Sequence, residues 1–350
     1  MTNFIFRNNI ETELKQIISN YQEDKIFVLC DENTAKYCYP KIEAFLPVRS
    51  EMISVPAGEK SKNINTALFL WRHLNSKQAD RKSLLINLGG GMITDLGGFV
   101  ASTYKRGIDF LNIPTTLLAQ VDASIGGKTG IDLDDFKNIV GVFSNPVSVI
   151  ISADFLTTLD TRQIMSGFAE MIKHSLIFSK SSWSKIKSIN PEQIDFDFLQ
   201  ILIKESVDIK NDFVKQDPYE KLGIREALNF GHTIGHAVET FLNKKGVQIF
   251  HGEAVAIGMI SELFISNKIL GFNFERLFEI SEYLATHFRS FDIAYDDYEE
   301  IIQIMRHDKK NKNNEIIFTL LKDIGDYALD QRCSVDEIIQ SLNFYYQVRK

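Results

Sequence analysis

The feature that most constrains this chain is the way its first 150 residues punctuate short apolar runs with turn residues. Lys25–Cys30 (KIFVLC), Glu51–Val55, Ser83–Leu88 (SLLINL), Asp109–Ile113 and Val147–Ser152 are each five or six residues long. The first four end at Asp31-Glu32-Asn33, Pro56-Ala57-Gly58, Gly89-Gly90-Gly91 and Pro114. Apolar runs this short, without polar alternation, read as strands buried on both faces. Helix-period stretches separate them, which predicts a parallel sheet with helices on its faces. After Ala153 long helical patterns take over, at Thr161–Phe178, Phe196–Gln216, Arg225–Asn243, Glu253–Leu270 and Glu275–Thr286. One late hairpin is expected around Gly325, from Glu315–Lys322 and Asp326–Leu329. An α/β domain is therefore expected over residues 1–155 and a mainly helical one over 156–350.

Length and charge narrow the partners. A chain of 350 residues has room for two domains. Its net charge of −7 argues against nucleic acid, whose phosphates call for a basic surface. A local cationic pocket for a small anion is compatible with that bulk charge. No run approaches the length of a membrane span, and the start, MTNFIFRNNIETELKQ, has no signal-peptide apolar core. Cys30, Cys38 and Cys333 match neither a disulfide framework nor a zinc-finger spacing. The expected compartment is reducing, hence the cytoplasm.

Two segments carry anion chemistry. Leu88-Gly89-Gly90-Gly91-Met92-Ile93-Thr94-Asp95 leaves a strand and opens a helix. Amides at a helix N-terminus attract phosphate, and glycine lets a pyrophosphate approach. Asp31, at an earlier strand end, is placed to receive ribose hydroxyls, and Thr115 and Thr116 sit at another strand end. Several polar strand ends together favour a dinucleotide. The segment Val121–Gly130 (VDASIGGKTG) contains Gly-Gly-Lys-Thr, but position 122 is Asp where a P-loop needs its first glycine. We read it as a polar loop in which Lys128 and Lys137, with Arg106, form an anion pocket.

The third segment carries metal chemistry. Leu228–Glu253 holds three of the seven histidines. His232 and His236 are four apart and share a helix face. His251 follows, and Glu170 lies upstream in an apolar helix. Imidazole and carboxylate without cysteine suit zinc with an open coordination position. Gly231 and Gly235 flank the pair, at a cost of roughly 1 kcal/mol each inside a helix, which implies close backbone approach.

Together the segments GGGMITDLGGFVASTYKRG, IPTTLLAQVDASIGGKTGID, KNIVG, SGFAEMIK, LNFGHTIGHAVE, HGEAVAIGM and DKK, in that order, closely resemble 3-dehydroquinate synthases over roughly residues 25–330. The resemblance implies a Rossmann-like domain that binds NAD and a helical domain that carries Zn2+ or Co2+. By motif position it makes Glu170, His232 and His251 the metal ligands. It makes His236 a proton-transfer residue instead of a ligand, with Lys128, Lys173, Asn229 and Arg106 also catalytic. Asp122, Lys137, Asn138, Lys210, Arg225, Lys309 and Lys310 would line the pocket for a sugar phosphate. Asp31, Asn33, Glu59, Lys62, Gly90, Gly91, Asp95, Thr115, Thr116 and Thr158 would contact NAD. A homodimer is implied, with Arg106 reaching the phosphate across it.

The implied reaction converts 3-deoxy-D-arabino-heptulosonate 7-phosphate to 3-dehydroquinate and phosphate, a step of the shikimate pathway to the aromatic amino acids. It runs by transient oxidation, elimination, re-reduction and aldol closure. The alternatives are another sugar phosphate cyclase, of the inosose or valiolone type, and a metal-dependent polyol dehydrogenase.

Overall fold

A computed structural model describes residues 2–134, 136–306 and 315–349. Lys309 and Lys310 lie outside the described residues. The strands are β1 (Phe4–Phe6), β2 (Ile26–Asp31), β3 (Glu51–Val55), β4 (Leu84–Gly89), β5 (Asp109–Pro114), β6 (Lys128–Leu133), β7 (Phe136–Phe143), β8 (Ser148–Ile151), β9 (Phe318–Asp323) and β10 (Asp326–Gln331). The helices are α1 (Glu11–Ile18), α2 (Glu32–Tyr37), α3 (Ile64–Ser76), α4 (Gly91–Thr103), α5 (Thr161–Phe178), α6 (Lys180–Lys187), α7 (Phe196–Gln216), α8 (His232–Lys244), α9 (His251–Leu270), α10 (Phe274–His287), α11 (Tyr298–Arg306) and α12 (Val335–Val348). The chain forms two compact units, Met1–Asp160 with Asp195–Asn211, and Thr161–Ile194 with Asp212–Lys350.

In the first unit six parallel strands run in the order β1-β8-β5-β4-β2-β3. Alternate residues of β2 serve opposite faces. Phe27 and Leu29 pack with Ala67 and Leu70 of α3 and with Leu96 and Val100 of α4. Ile26, Val28 and Cys30 pack on the other face with Leu14 and Ile18 of α1. Each of the Val, Leu, Ile and Phe side chains among them, taken fully from water, contributes about 1.5–3 kcal/mol. The strand order turns outward in both directions from β2 and β4. Their carboxyl ends therefore flank a switch point, the usual ligand crevice of an open parallel sheet.

Three details differ from the sequence expectation. The segment read as a polar loop is a π-helical turn at Ala119–Ala123 followed by the β6–β7 hairpin. Every residue of β7 is exposed, so no buried-strand pattern marks it. The strand β1 is only three residues long, too short to register as a run. The helix expected from Arg225 begins at His232. The chain makes a 3-10 turn at Ile224–Asn229, and Gly231 stands in the left-handed region at φ 79°.

The second unit is helical, with the β9–β10 hairpin turning at Gly325. Gly325 donates its N–H to Leu176 O at 2.8 Å, which ties the turn to α5. The apolar helix α9 is buried along most of its length. A Cβ on Gly258 of α9 would lie 1.9 Å from Gly231 O and 2.8 Å from Gly235 N. The backbones of α8 and α9 therefore touch, which side chains elsewhere in a helix pair prevent. No described helix is long and apolar enough to cross a membrane.

Candidate active site

The carboxyl ends of the first unit's sheet gather the residues assigned to NAD. Asp31 ends β2 and caps α2, one oxygen accepting from Asn33 N and Thr34 N at 2.9 Å each. Gly90 is the N-cap of α4 and brings no side chain to cover the first amides. A Cβ there would sit 3.1 Å from Thr116 Cγ2, and one on Gly91 3.2 Å from Ala123 Cβ, so both positions are tight. Thr115 is buried and donates its N–H to Gly89 O at 2.9 Å. Beyond β3, Lys62 is 3 % exposed, with its ammonium 2.8 Å from Glu59, 3.2 Å from Asp95 and 3.9 Å from Asp132. Burial pulls the Lys62 ammonium down, but these carboxylates outweigh it and raise it. Burial pushes the Asp95 carboxyl up to about 6, against the pull of Lys62. Thr158 ends a 3-10 turn at Ala153–Thr158 and is exposed.

Residues assigned to substrate in this unit fall into two groups. Lys210 Nζ meets Asp122 Oδ1 at 2.6 Å and Asp122 O at 2.7 Å. The other group is Lys128, Lys137 and Asn138, exposed on the β6–β7 hairpin. Asn138 takes a left-handed φ of 55°. Arg106 is exposed at φ 70°, in a strained turn with Lys105 at φ 50°.

The second unit builds a metal-capable cluster from three helices. Glu170 comes from the middle of α5, His232 opens α8 and His251 opens α9. His232 Nε2 and His251 Nε2 each lie 3.4 Å from Glu170 Oε1. His232 Nδ1 faces Phe230 O at 3.1 Å, and His251 Nδ1 faces Glu239 Oε2 at 3.2 Å. Acceptors at both Nδ1 atoms fix the tautomer that leaves Nε2 as the ligating lone pair. Glu170 is 0 % exposed, and neither carboxylate oxygen has a well-directed hydrogen bond. A buried carboxylate oxygen without a well-directed hydrogen bond, facing two oriented imidazoles, fits a divalent cation. The His236 ring lies 5.1 Å from that of His232 and 5.6 Å from that of His251. One nitrogen from each of the three lies within 4.8 Å of the others.

Electrostatics match that fit. Lys173, 1 % exposed, closes on Glu170 Oε2. Burial pushes Glu170 up, but Lys173 and His232 hold it well below the ordinary carboxylate range. Burial lowers His232 to about 4, and Lys173 adds to that effect. Burial also pushes His251 down, but Glu170 and Glu239 outweigh it and hold it up at about 10. Without a cation, a proton on His251 would balance these carboxylates, and a dication would displace it.

Local packing explains why the ligands stand where they do. Glu262 of α9 is 0 % exposed and accepts from Gly231 N at 2.6 Å and Ile234 N at 3.1 Å, capping α8 next to His232. Arg162 grips Glu253 through two bonds of 2.8 Å, and Glu253 accepts from Phe250 N at 2.8 Å. Gly252 N donates to Ser166 Oγ at 2.9 Å, so α5 holds the first turn of α9 and with it His251.

Glu239, Glu262, Arg162 and Asp132 escaped the sequence reading. Glu239 carried a signal, since it sits three residues after His236 on one helix face. Arg225 is buried, with its guanidinium 3.2 Å from Glu220 and 3.3 Å from Pro218 O. Asn229 lines a cavity of about 60 Å³ with Glu226, Thr233 and Asp330.

Known proteins place these observations in a family. Residues 52–166 match the 3-dehydroquinate synthase N-terminal family model and residues 167–311 the C-terminal one. A 3-dehydroquinate synthase of Parabacteroides distasonis is 43 % identical over 96 % of each chain. One from Clostridium botulinum is 38 % identical over 92 % of this chain and 91 % of its own. Among solved structures, 2-epi-5-epi-valiolone synthase from Streptomyces hygroscopicus, with NAD+ and Zn2+ bound, has a TM-score of 0.85 at 21 % identity, covering 99 % of this chain and 97 % of its own. A 2-deoxy-scyllo-inosose synthase complexed with carbaglucose-6-phosphate, NAD+ and Co2+ has a TM-score of 0.83 at 23 % identity, over 97 % and 96 %. These likenesses give the same fold, an α/β parallel-sheet domain followed by a helical one. On the family models and on identity across nearly its whole length, the chain belongs to the 3-dehydroquinate synthase family.

Proposed function

We propose that this chain converts 3-deoxy-D-arabino-heptulosonate 7-phosphate to 3-dehydroquinate and phosphate, as a carbon–oxygen lyase that holds NAD and a divalent metal. The observation that carries the reading is the convergence of Glu170 Oε1 with the Nε2 atoms of His232 and His251, each imidazole held through its Nδ1. Glu170, His232 and His251 would hold Zn2+ or Co2+, and the strand ends around Asp31, Gly90 and Thr115 would hold NAD. Bound there, the nicotinamide supplies reversible hydride acceptance and the cation Lewis acidity toward the substrate's hydroxyls.

The chain's own residues do the rest. Lys173, buried against Glu170, keeps positive charge where an oxyanion develops. His236 stands beside the cluster, its ring 5.1 Å from that of His232 and 5.6 Å from that of His251, and would exchange a proton with a group held there. Lys128 and Arg106 are exposed cations suited to a phosphate, and Asn138 and Asn229 supply neutral hydrogen-bonding groups. Held in a fixed pose, the leaving phosphate would itself take the adjacent proton, so the protein's task there is orientation. The same reading has the protein work as a cytoplasmic homodimer.

The test is phosphate release from 3-deoxy-D-arabino-heptulosonate 7-phosphate with catalytic NAD and zinc. Chelator-sensitive release, one phosphate per dehydroquinate and no net NADH support the reading. Net NADH instead points to a polyol dehydrogenase, and release only from another sugar phosphate to a different cyclase.

A further inference from the structure

Asp132 lies where the β6–β7 ladder breaks. Ile131 pairs with Val140 and Leu133 with Phe136, so a single residue of β6 faces three of β7. Those three include Lys137 and Asn138. Asn138, left-handed at φ 55°, donates its N–H to Asp132 Oδ1 at 2.7 Å. The carboxylate thus replaces the ladder bond that the bulge forgoes. The same Oδ1 lies 3.9 Å from Lys62 Nζ, and Asp132 N donates to Lys62 O at 2.8 Å. Lys62 in turn holds Glu59 and Asp95. One side chain therefore joins two groups of residues that the proposed reaction uses for different ligands.

We infer that Asp132 is a positioning residue that couples the Glu59–Lys62–Asp95 cofactor site to the Asn138 substrate turn. The inference rests on the proposed function for what each group binds. A ribose that engages Glu59 or Lys62 changes how strongly the ammonium pulls on Asp132. That alters how firmly the carboxylate holds the Asn138 amide. Linkage is reciprocal, so a substrate that orders Asn138 tightens NAD in return.

Two variants separate the parts. Asp132→Asn keeps an oxygen for the Asn138 N–H and drops the charge toward Lys62. Asp132→Ala removes both. In the full-length holoenzyme, Asp132→Ala is expected to raise the substrate KM about tenfold and leave kcat within about threefold, as loss of one charge-assisted hydrogen bond would. Asp132→Asn is expected to restore KM to within about threefold of the parent. Amide hydrogen exchange at Asn138 reads the tether directly. Exchange should be slow in the parent and Asp132→Asn and about tenfold faster in Asp132→Ala, with NAD slowing it further in the parent alone. Equal KM in the two variants, unchanged exchange in Asp132→Ala, or an NAD response retained in Asp132→Asn overturns the inference. Exchange needs no turnover, so it is decided even where the parent releases no phosphate and the proposed reaction itself fails. Should Asp132→Ala not fold, the NAD response of Asp132→Asn still decides the coupling.

Discussion

Gly258→Ala tests whether backbone contact between α8 and α9 sets the metal cluster. The added Cβ would lie 1.9 Å from Gly231 O, the carbonyl just before His232. An ordinary carbon–oxygen contact needs about 3.3 Å, so one helix must retreat by roughly 1.4 Å. A carbonyl at a helix start cannot swing aside as a side chain could. Overpacking of this kind costs about 1–3 kcal/mol, offset in part by the ~1 kcal/mol that Ala gains over Gly in a helix. Coordination tolerates only about 0.2 Å in ligand distance, so a shift of His232 against His251 by even half the retreat breaks the set. Zinc affinity, measured by competition with a chromogenic chelator, should fall by about 100-fold or more, while the melting temperature falls by only a few degrees. Gly246→Ala is the control. It has open space around its Cβ at φ 74°, so it carries backbone strain without a collision and should leave zinc affinity alone. A Gly258→Ala protein that binds zinc within threefold of the parent would falsify the account.

Other outcomes follow from the same geometry. Glu239→Gln removes the charge holding His251 Nδ1 and should lower zinc affinity about 10–100-fold by chelator competition, and unchanged affinity would remove Glu239 from the site. Asp95 bears on pH. Its carboxyl, raised to about 6, favours the fold while protonated, and that contribution is lost as pH rises through 6. Stability of the parent relative to Asp95→Asn should therefore drop by about 2–3 kcal/mol between pH 4 and 7 in denaturant titrations, and a flat difference would refute the argument that desolvation raises this carboxyl. Lys128→Ala should retain zinc and NAD by equilibrium binding yet lose turnover, and retained turnover would end its catalytic assignment.

The sheet was legible because its strands are short, apolar and ended by residues with one structural meaning. Gly89-Gly90-Gly91 marked a strand-to-helix turn, and the structure has α4 starting there. The metal-capable cluster was legible because histidine and an isolated carboxylate in apolar helices have few alternative uses. Three things were not. The β6–β7 hairpin buries almost nothing on β7, so period and hydrophobicity say nothing about it. The helix boundary at His232 depends on a left-handed Gly231 that a helical pattern simply runs across. Glu239 and Glu262 act through partners 12 to 31 residues away, and such pairings exist only once α8 and α9 are packed.

Residues 195–211 belong with the first unit although they follow the start of the second. Leu199 and Ile203 are fully buried, and the Gln200 side chain reaches Ala153 N at 2.6 Å and Ile151 O at 3.3 Å. During synthesis, at about 5–20 residues per second, roughly 3 to 10 s separate the appearance of Asp160 from that of Asn211. Through that interval the nascent sheet has all its strands but lacks its last cover. The ribosome-bound chain therefore passes through a timed window in which chaperone capture and misassembly compete, and synonymous codons that slow translation between 161 and 211 would widen it.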